Sequence, residues 1–129
     1  MDDAFEGAAE LEGRDLPEEA LAAKLRARLQ EGLHGLGFSA YAPGQSPERH
    51  DMLSVEQVRA RLEIIAPHTA WIRTFSCSEG NELAPAIAHE LGMKTLVGAW
   101  IDGDRARNAR ELQAVVSLAK QGHADMIAV

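Results

Sequence analysis

The chain has 129 residues, 46% of them hydrophobic and 5% aromatic, with a net charge of −7 and a single cysteine, Cys77. That apolar content suffices for one packed core and excludes a disordered chain, while the acidic balance argues against the clustered basic face of a nucleic-acid binder. No window reaches the roughly 18–20 apolar residues of a membrane span, no basic-then-apolar leader opens the chain, and one cysteine cannot form an internal disulfide. The lack of a leader reads as cytoplasmic; the compartment is otherwise unknown.

Residues 1–14 are acidic, glycine-containing and weakly periodic, and are expected to form a flexible lead-in. Residues 15–32 predict an N-terminal helix: Asp15 and Glu18 have the spacing of a capping box, Leu21, Leu25 and Leu29 form a stripe, and Gly32 supplies the stop. Such a stripe is expected to pack on the domain or on a partner.

A first strand is predicted over 36–41, closed by the turn-forming run Ala42 to Pro47. Ser54 caps the next helix, with Gln57 at the box position and Val55, Val58, Leu62 and Ile65 on one face until Pro67 ends it. The second strand is predicted over 70–75 and leads into a polar loop, Ser76 to Asn81. A helix marked by Leu83, Ile87 and Leu91 follows and closes at Gly92. The third and strongest strand is predicted over 94–101, then a loop with Asp102, Gly103 and Asp104, then a helix carrying Leu112, Val115 and Ala119. Asp125 to Val129 opens a fourth strand. A domain rarely ends inside a strand, because the bare edge must be covered, so the expectation is the first part of a larger α/β domain.

Strand starts recurring every 25–35 residues or so match the βα unit, which builds either a doubly wound sheet or a (β/α)₈ barrel. Sequential order 1-2-3-4 marks a barrel, whereas a doubly wound sheet places a later strand on the far side of the first. In both, ligands meet the carboxyl ends of the strands, which nominates Tyr41, Phe75 to Asn81, and Trp100 to Asp104. Aromatic rings at strand ends beside Asp102 suit a sugar, whose C–H face stacks on rings while its hydroxyls bond carboxylates; such residues also serve as plain core. Arg73 in an apolar strand is costly to bury unpaired. Either it lies in solvent on an edge strand, or it points into a barrel mouth and pairs with a carboxylate.

Other chemistry finds little support. Gly35 and Gly37 precede a strand rather than follow one, unlike a dinucleotide fingerprint, and no phosphate-binding lysine loop occurs. His34, His50, His68, His89 and His123 lack zinc-ligand spacing, so no metal and no cofactor are expected. Cys77 is read as an exposed loop residue, residues 102–110 as a solvated loop and helix start, and Glu79 and Glu82 as solvent-facing.

Three segments carry a family resemblance. Gly37-Phe38-Ser39-Ala40-Tyr41-Ala42-Pro43-Gly44-Gln45-Ser46-Pro47, Ile72-Arg73-Thr74-Phe75-Ser76 and Gly98-Ala99-Trp100-Ile101 occur in order. Together they resemble the N-terminal half of bacterial β-1,3-glucanase-like and β-1,3-glucosyltransferase-like proteins of glycoside hydrolase family 17. The resemblance implies that residues 36–129 are the first three and a half βα units of a (β/α)₈ TIM barrel, preceded by the helix. It implies retaining hydrolysis or transglycosylation of β-glucan, with Tyr41, Phe75, Trp100 and Asp102 as substrate-binding residues and Arg73 bracing a nucleophilic carboxylate. Phe75 stands where the family usually has tyrosine. The family's acid/base glutamate ends strand four and its nucleophile ends strand seven, so neither catalytic glutamate is expected in this chain. Family members often act at the cell envelope. Alternatives are a non-catalytic half-barrel binding glycan or protein, and a flavodoxin-like small-ligand domain. Exposed strand edges would favour a homo-oligomer.

Overall fold

The computed structural model describes residues 15–129, so the expected lead-in over residues 1–14 lies outside the described residues. The chain divides into two compact units between Glu31 and Gly32. In the first, helix α1 spans Glu18–Glu31. The Pro17 carbonyl accepts from the Ala20 and Leu21 amides, so the helix opens at Glu18, three residues past Asp15, which is not its cap. The Leu21 and Leu25 side chains are exposed, and no residue of α1 is buried.

The second unit is a parallel four-stranded sheet with strand order β1-β2-β3-β4: β1 Leu33–Gly37, β2 Thr69–Arg73, β3 Lys94–Gly98 and β4 Met126–Ala128. Helix α2 (Val55–Ile65) joins β1 to β2, α3 (Ala84–Glu90) joins β2 to β3, and α4 (Arg105–Lys120) joins β3 to β4. This sequential order removes the doubly wound, flavodoxin-like alternative, which needs a strand-order switch beside β1.

Register explains the packing. Leu36 pairs with Ile72 and Ile72 with Thr95, so these side chains share one face with Phe38, Thr74 and Val97. Ile72, Thr95 and Val97 are fully buried there. Ile72 packs with Val58 and Leu62 of α2 and with Ala84, Ile87 and Ala88 of α3, while Val97 packs with Val115 and Leu118 of α4. All three connecting helices therefore cover the same face. Each fully buried Leu or Ile contributes roughly 1.5–3 kcal/mol. The other face carries Gly35, Gly37, Trp71, Arg73, Leu96 and Met126, and no helix of this unit covers it.

Local chemistry sets the element ends. The Ser54 hydroxyl accepts from the Gln57 amide, as the capping-box spacing predicts, and the Asp104 carboxylate accepts from the Ala106 and Arg107 amides at the start of α4. Pro43 and Gly44 (φ +84°) occupy a turn closed by the Gln45 amide on the Ala42 carbonyl. The first strand lies about three residues earlier than expected. A Cβ at Gly35 would stand 3.2 Å from the Trp71 Cβ, and one at Gly37 would stand 3.4 Å from the Phe75 ring. Trp71 of β2 and Phe75, two residues past its end, occupy the volume those glycines leave open. The third strand stops at Gly98, where a Cβ would run into the Thr74 carbonyl oxygen.

Two packing expectations are corrected. Leu112 of α4 is exposed, and the position before it, Glu111, is completely buried. Cys77 is buried as well, its thiol donating to the Gly98 carbonyl at 3.3 Å; burial, with the Glu111 and Glu82 carboxylates nearby, pushes its pKa up to about 12. It has no nucleophilic thiolate at neutral pH.

Candidate functional site

The carboxyl ends of β1, β2 and β3 open into a cleft of about 380 Å³. Tyr41, Phe75 and Trp100 all line it, together with Phe38, Ser76, Glu79, Asn81 and Arg107. Three residues singled out at separate strand ends thus meet in one place, because a parallel sheet with sequential order brings successive carboxyl ends side by side. Phe75 is 43% and Trp100 51% exposed, which is costly for large rings unless something covers them. The Tyr41 hydroxyl accepts from the Asn81 side-chain amide at 3.1 Å, which ties the first loop to the second.

Arg73 lies on the uncovered face of a strand bonded on both sides, so the edge-strand alternative does not hold. Its guanidinium stands over the Phe75 ring, 5.0 Å from the centroid, and among the described residues no carboxylate forms an ion pair with it. Asp102 does not line the cleft. It is exposed and shapes its own loop: its Oδ1 accepts from the Asp104 amide at 2.8 Å, and its Oδ2 stands 3.7 Å from Arg107.

The second loop holds what the sequence reading missed. Glu79, expected in solvent, has only 17% of its side chain exposed and lines the cleft. Its Oε1 is 2.5 Å from His50 Nδ1 and its Oε2 is 3.9 Å from Arg107. His50 (φ +56°) and Glu79 (φ +60°) both adopt left-handed backbone, which is uncommon without glycine and tends to collect at functional sites. Glu82 is half-buried and accepts from the Gly80 amide at 2.9 Å, holding the turn that begins the next 3₁₀ segment. Next to these lies Glu111, whose carboxylate accepts from the Ser76 and Ser78 hydroxyls (both 2.6 Å), the Cys77 amide (2.7 Å) and the Trp100 amide (3.1 Å). Burial pushes its pKa up, but these four hydrogen bonds outweigh it and hold the carboxyl below the usual glutamate range. A glutamate on the apolar stripe of α4, at i−4 from Val115, was the signal available in the sequence. Among the described residues no cluster of His, Cys, Asp and Glu could hold a metal ion, and no helix is long and apolar enough to cross a membrane.

Fold and cleft define a parallel α/β protein that presents an aromatic-lined cleft at the carboxyl ends of sequentially ordered strands. No family model and no curated protein matches the sequence. Among solved structures, the chain is similar to a glycoside hydrolase family 17 β-1,3-glucanosyltransferase from Rhizomucor miehei, with a TM-score of 0.59 and 22% identity over 78% of this chain and 36% of that one. It is also similar to an active-site mutant of the Rhizomucor miehei β-1,3-glucanosyltransferase in complex with laminaritriose, with a TM-score of 0.57 and 21% identity over 76% of this chain and 35% of that one. The chain spans about a third of the length of these structures, and at such identity the likeness establishes the fold.

Proposed function

We propose that the described sheet is the first part of a (β/α)₈ barrel of the glycoside hydrolase family 17 type, and that its cleft binds β-1,3-glucan. The observation that carries this reading is the convergence of Tyr41, Phe75 and Trp100 in one cleft at the strand ends, on a fold shared with a β-1,3-glucanosyltransferase. Half-exposed rings offer platforms for the apolar face of a glucose unit. Glu79 Oε2, Asn81 and Arg107 offer hydroxyl partners on the same wall.

Retaining transfer needs two carboxyl groups about 5–5.5 Å apart, one a nucleophile and the other an acid/base. Three of the carboxylates around this cleft already have other work. Glu111 is saturated by four donors, Glu79 is tied to His50, and Asp102 shapes its loop. In this reading the four strands supply binding, and Arg73 is kept unpaired on the barrel-interior face to brace a nucleophile from another strand. Engagement of these carboxylates equally favours a second reading, a half-barrel that binds glycan without cleaving it.

Titration calorimetry of laminaritriose against the purified 129-residue chain tests the proposal. Binding is expected, and Trp100→Ala should weaken it about tenfold, the scale on which truncating an aromatic anchor costs binding. No glucose or oligosaccharide should be released from laminarin. Absence of laminaritriose binding would refute the glucan reading. Cleavage that Glu79→Gln abolishes would move the chemistry to the second loop.

A further inference from the structure

We propose that Glu111 is a positioning residue of the cleft, locking the loop after β2 to the loop after β3 and so holding Trp100 in place as a sugar platform. The sugar part rests on the glucan reading; the locking does not.

The side chain lies on the buried stripe of α4 with Val115 and Leu118, four and seven residues on, where a leucine would serve the core equally well. Burying a carboxylate there is costly unless its lone pairs are met. All are met, and by donors that the sheet leaves unused. The last backbone bonds that β2 and β3 donate to their neighbours come from the Thr74 amide, to the Leu96 carbonyl, and the Ala99 amide, to the Ala128 carbonyl, so the Cys77 and Trp100 amides lie past the end of the ladder. Glu111 Oε2 accepts from both amides, while Oε1 takes the Ser76 and Ser78 hydroxyls. One carboxylate thus continues, through a side chain, the cross-linking that the two strands have stopped providing. The Cys77 thiol on the Gly98 carbonyl is a second tie between the same loops. Ser76 and Trp100 both line the cleft, so the lock acts directly on its wall.

The geometry predicts a specific pattern of rescue. In Glu111→Gln the amide oxygen can accept from the Cys77 and Trp100 amides, while the side-chain NH₂ donates to the Ser76 and Ser78 hydroxyls, which reverse to accept. In Glu111→Leu, of similar size, all four donors lose their acceptor. With Trp71→Phe as background, Trp100 is the sole tryptophan, and its emission maximum and acrylamide quenching report the loop without any sugar. Glu111→Leu should red-shift the emission, raise the quenching constant and weaken laminaritriose about tenfold, whereas Glu111→Gln should stay within about twofold of the parent. A folded Glu111→Leu with unchanged Trp100 emission and quenching overturns the proposal. So does a Glu111→Gln variant as perturbed as Glu111→Leu. If Glu111→Leu does not fold, Ser76→Ala/Ser78→Ala removes half the lock and should shift Trp100 in the same direction; no shift overturns the proposal. A parent that fails to bind laminaritriose refutes the glucan reading, and the Trp100 signal still decides the lock.

Discussion

The two faces of this sheet are built from alternate residues of the same strands, yet they are in opposite states. On one, Ile72, Thr95 and Val97 are fully buried under three helices. On the other, Arg73 and Met126 are exposed, Trp71 and Leu96 are half-buried, and nothing in the unit covers them. Stability therefore resides on the covered face. The uncovered face and the cleft at its carboxyl end keep large apolar groups accessible, which is the condition for binding something else. In a closed barrel this face is the packed interior.

Cavity mutants test that division most severely. Leu62→Ala, beneath α2, should cost about 2–5 kcal/mol in urea unfolding, and a cost below about 1 kcal/mol would mean that the covered face is not the main core. Gly98→Ala is expected to come next, at about 1–3 kcal/mol, because a Cβ there collides with the Thr74 carbonyl, and backbone gives way less readily than a side chain.

Acid probes the cleft side of the comparison. Glu111 titrates below its ordinary range in the folded chain, so the folded state takes up its proton later than the unfolded chain does. Its contribution is whole above the ordinary glutamate pKa and disappears as pH falls through the depressed folded value. Urea midpoints measured between neutral pH and about pH 3 should fall less steeply in Glu111→Gln than in the parent; parallel curves would contradict the linkage.

Ser54→Ala removes the α2 cap and should cost about 1 kcal/mol, readable as a shift in melting temperature. On the open face, Met126→Lys should change stability by less than about 0.5 kcal/mol, since the side chain is already 56% exposed. Its effect belongs to association instead. We propose that the open face and the β4 edge make the isolated chain self-associate, so sedimentation should show assemblies that this lysine reduces. A compact monomer for the parent would count against it.

Much of this was legible in the sequence because it depends on neighbours in the chain. The recurring βα unit, the Ser54 cap, the turn at Pro43-Gly44 and the choice of strand ends for Tyr41, Phe75 and Trp100 follow from periodicity, capping chemistry and the geometry of parallel sheets. What depended on distant neighbours was not legible. The close approach of Trp71 and Phe75 to Gly35 and Gly37 joins residues more than thirty positions apart. Glu79 read as a solvent-facing loop carboxylate until His50 came within hydrogen-bonding distance across 29 residues of chain. Cys77 read as an exposed loop residue because loop position predicts exposure, and nothing in the sequence reading singled out Glu111. Only the tertiary fold, by bringing Ser76, Ser78, Cys77 and Trp100 to a single carboxylate, supplied the donors that make its burial affordable.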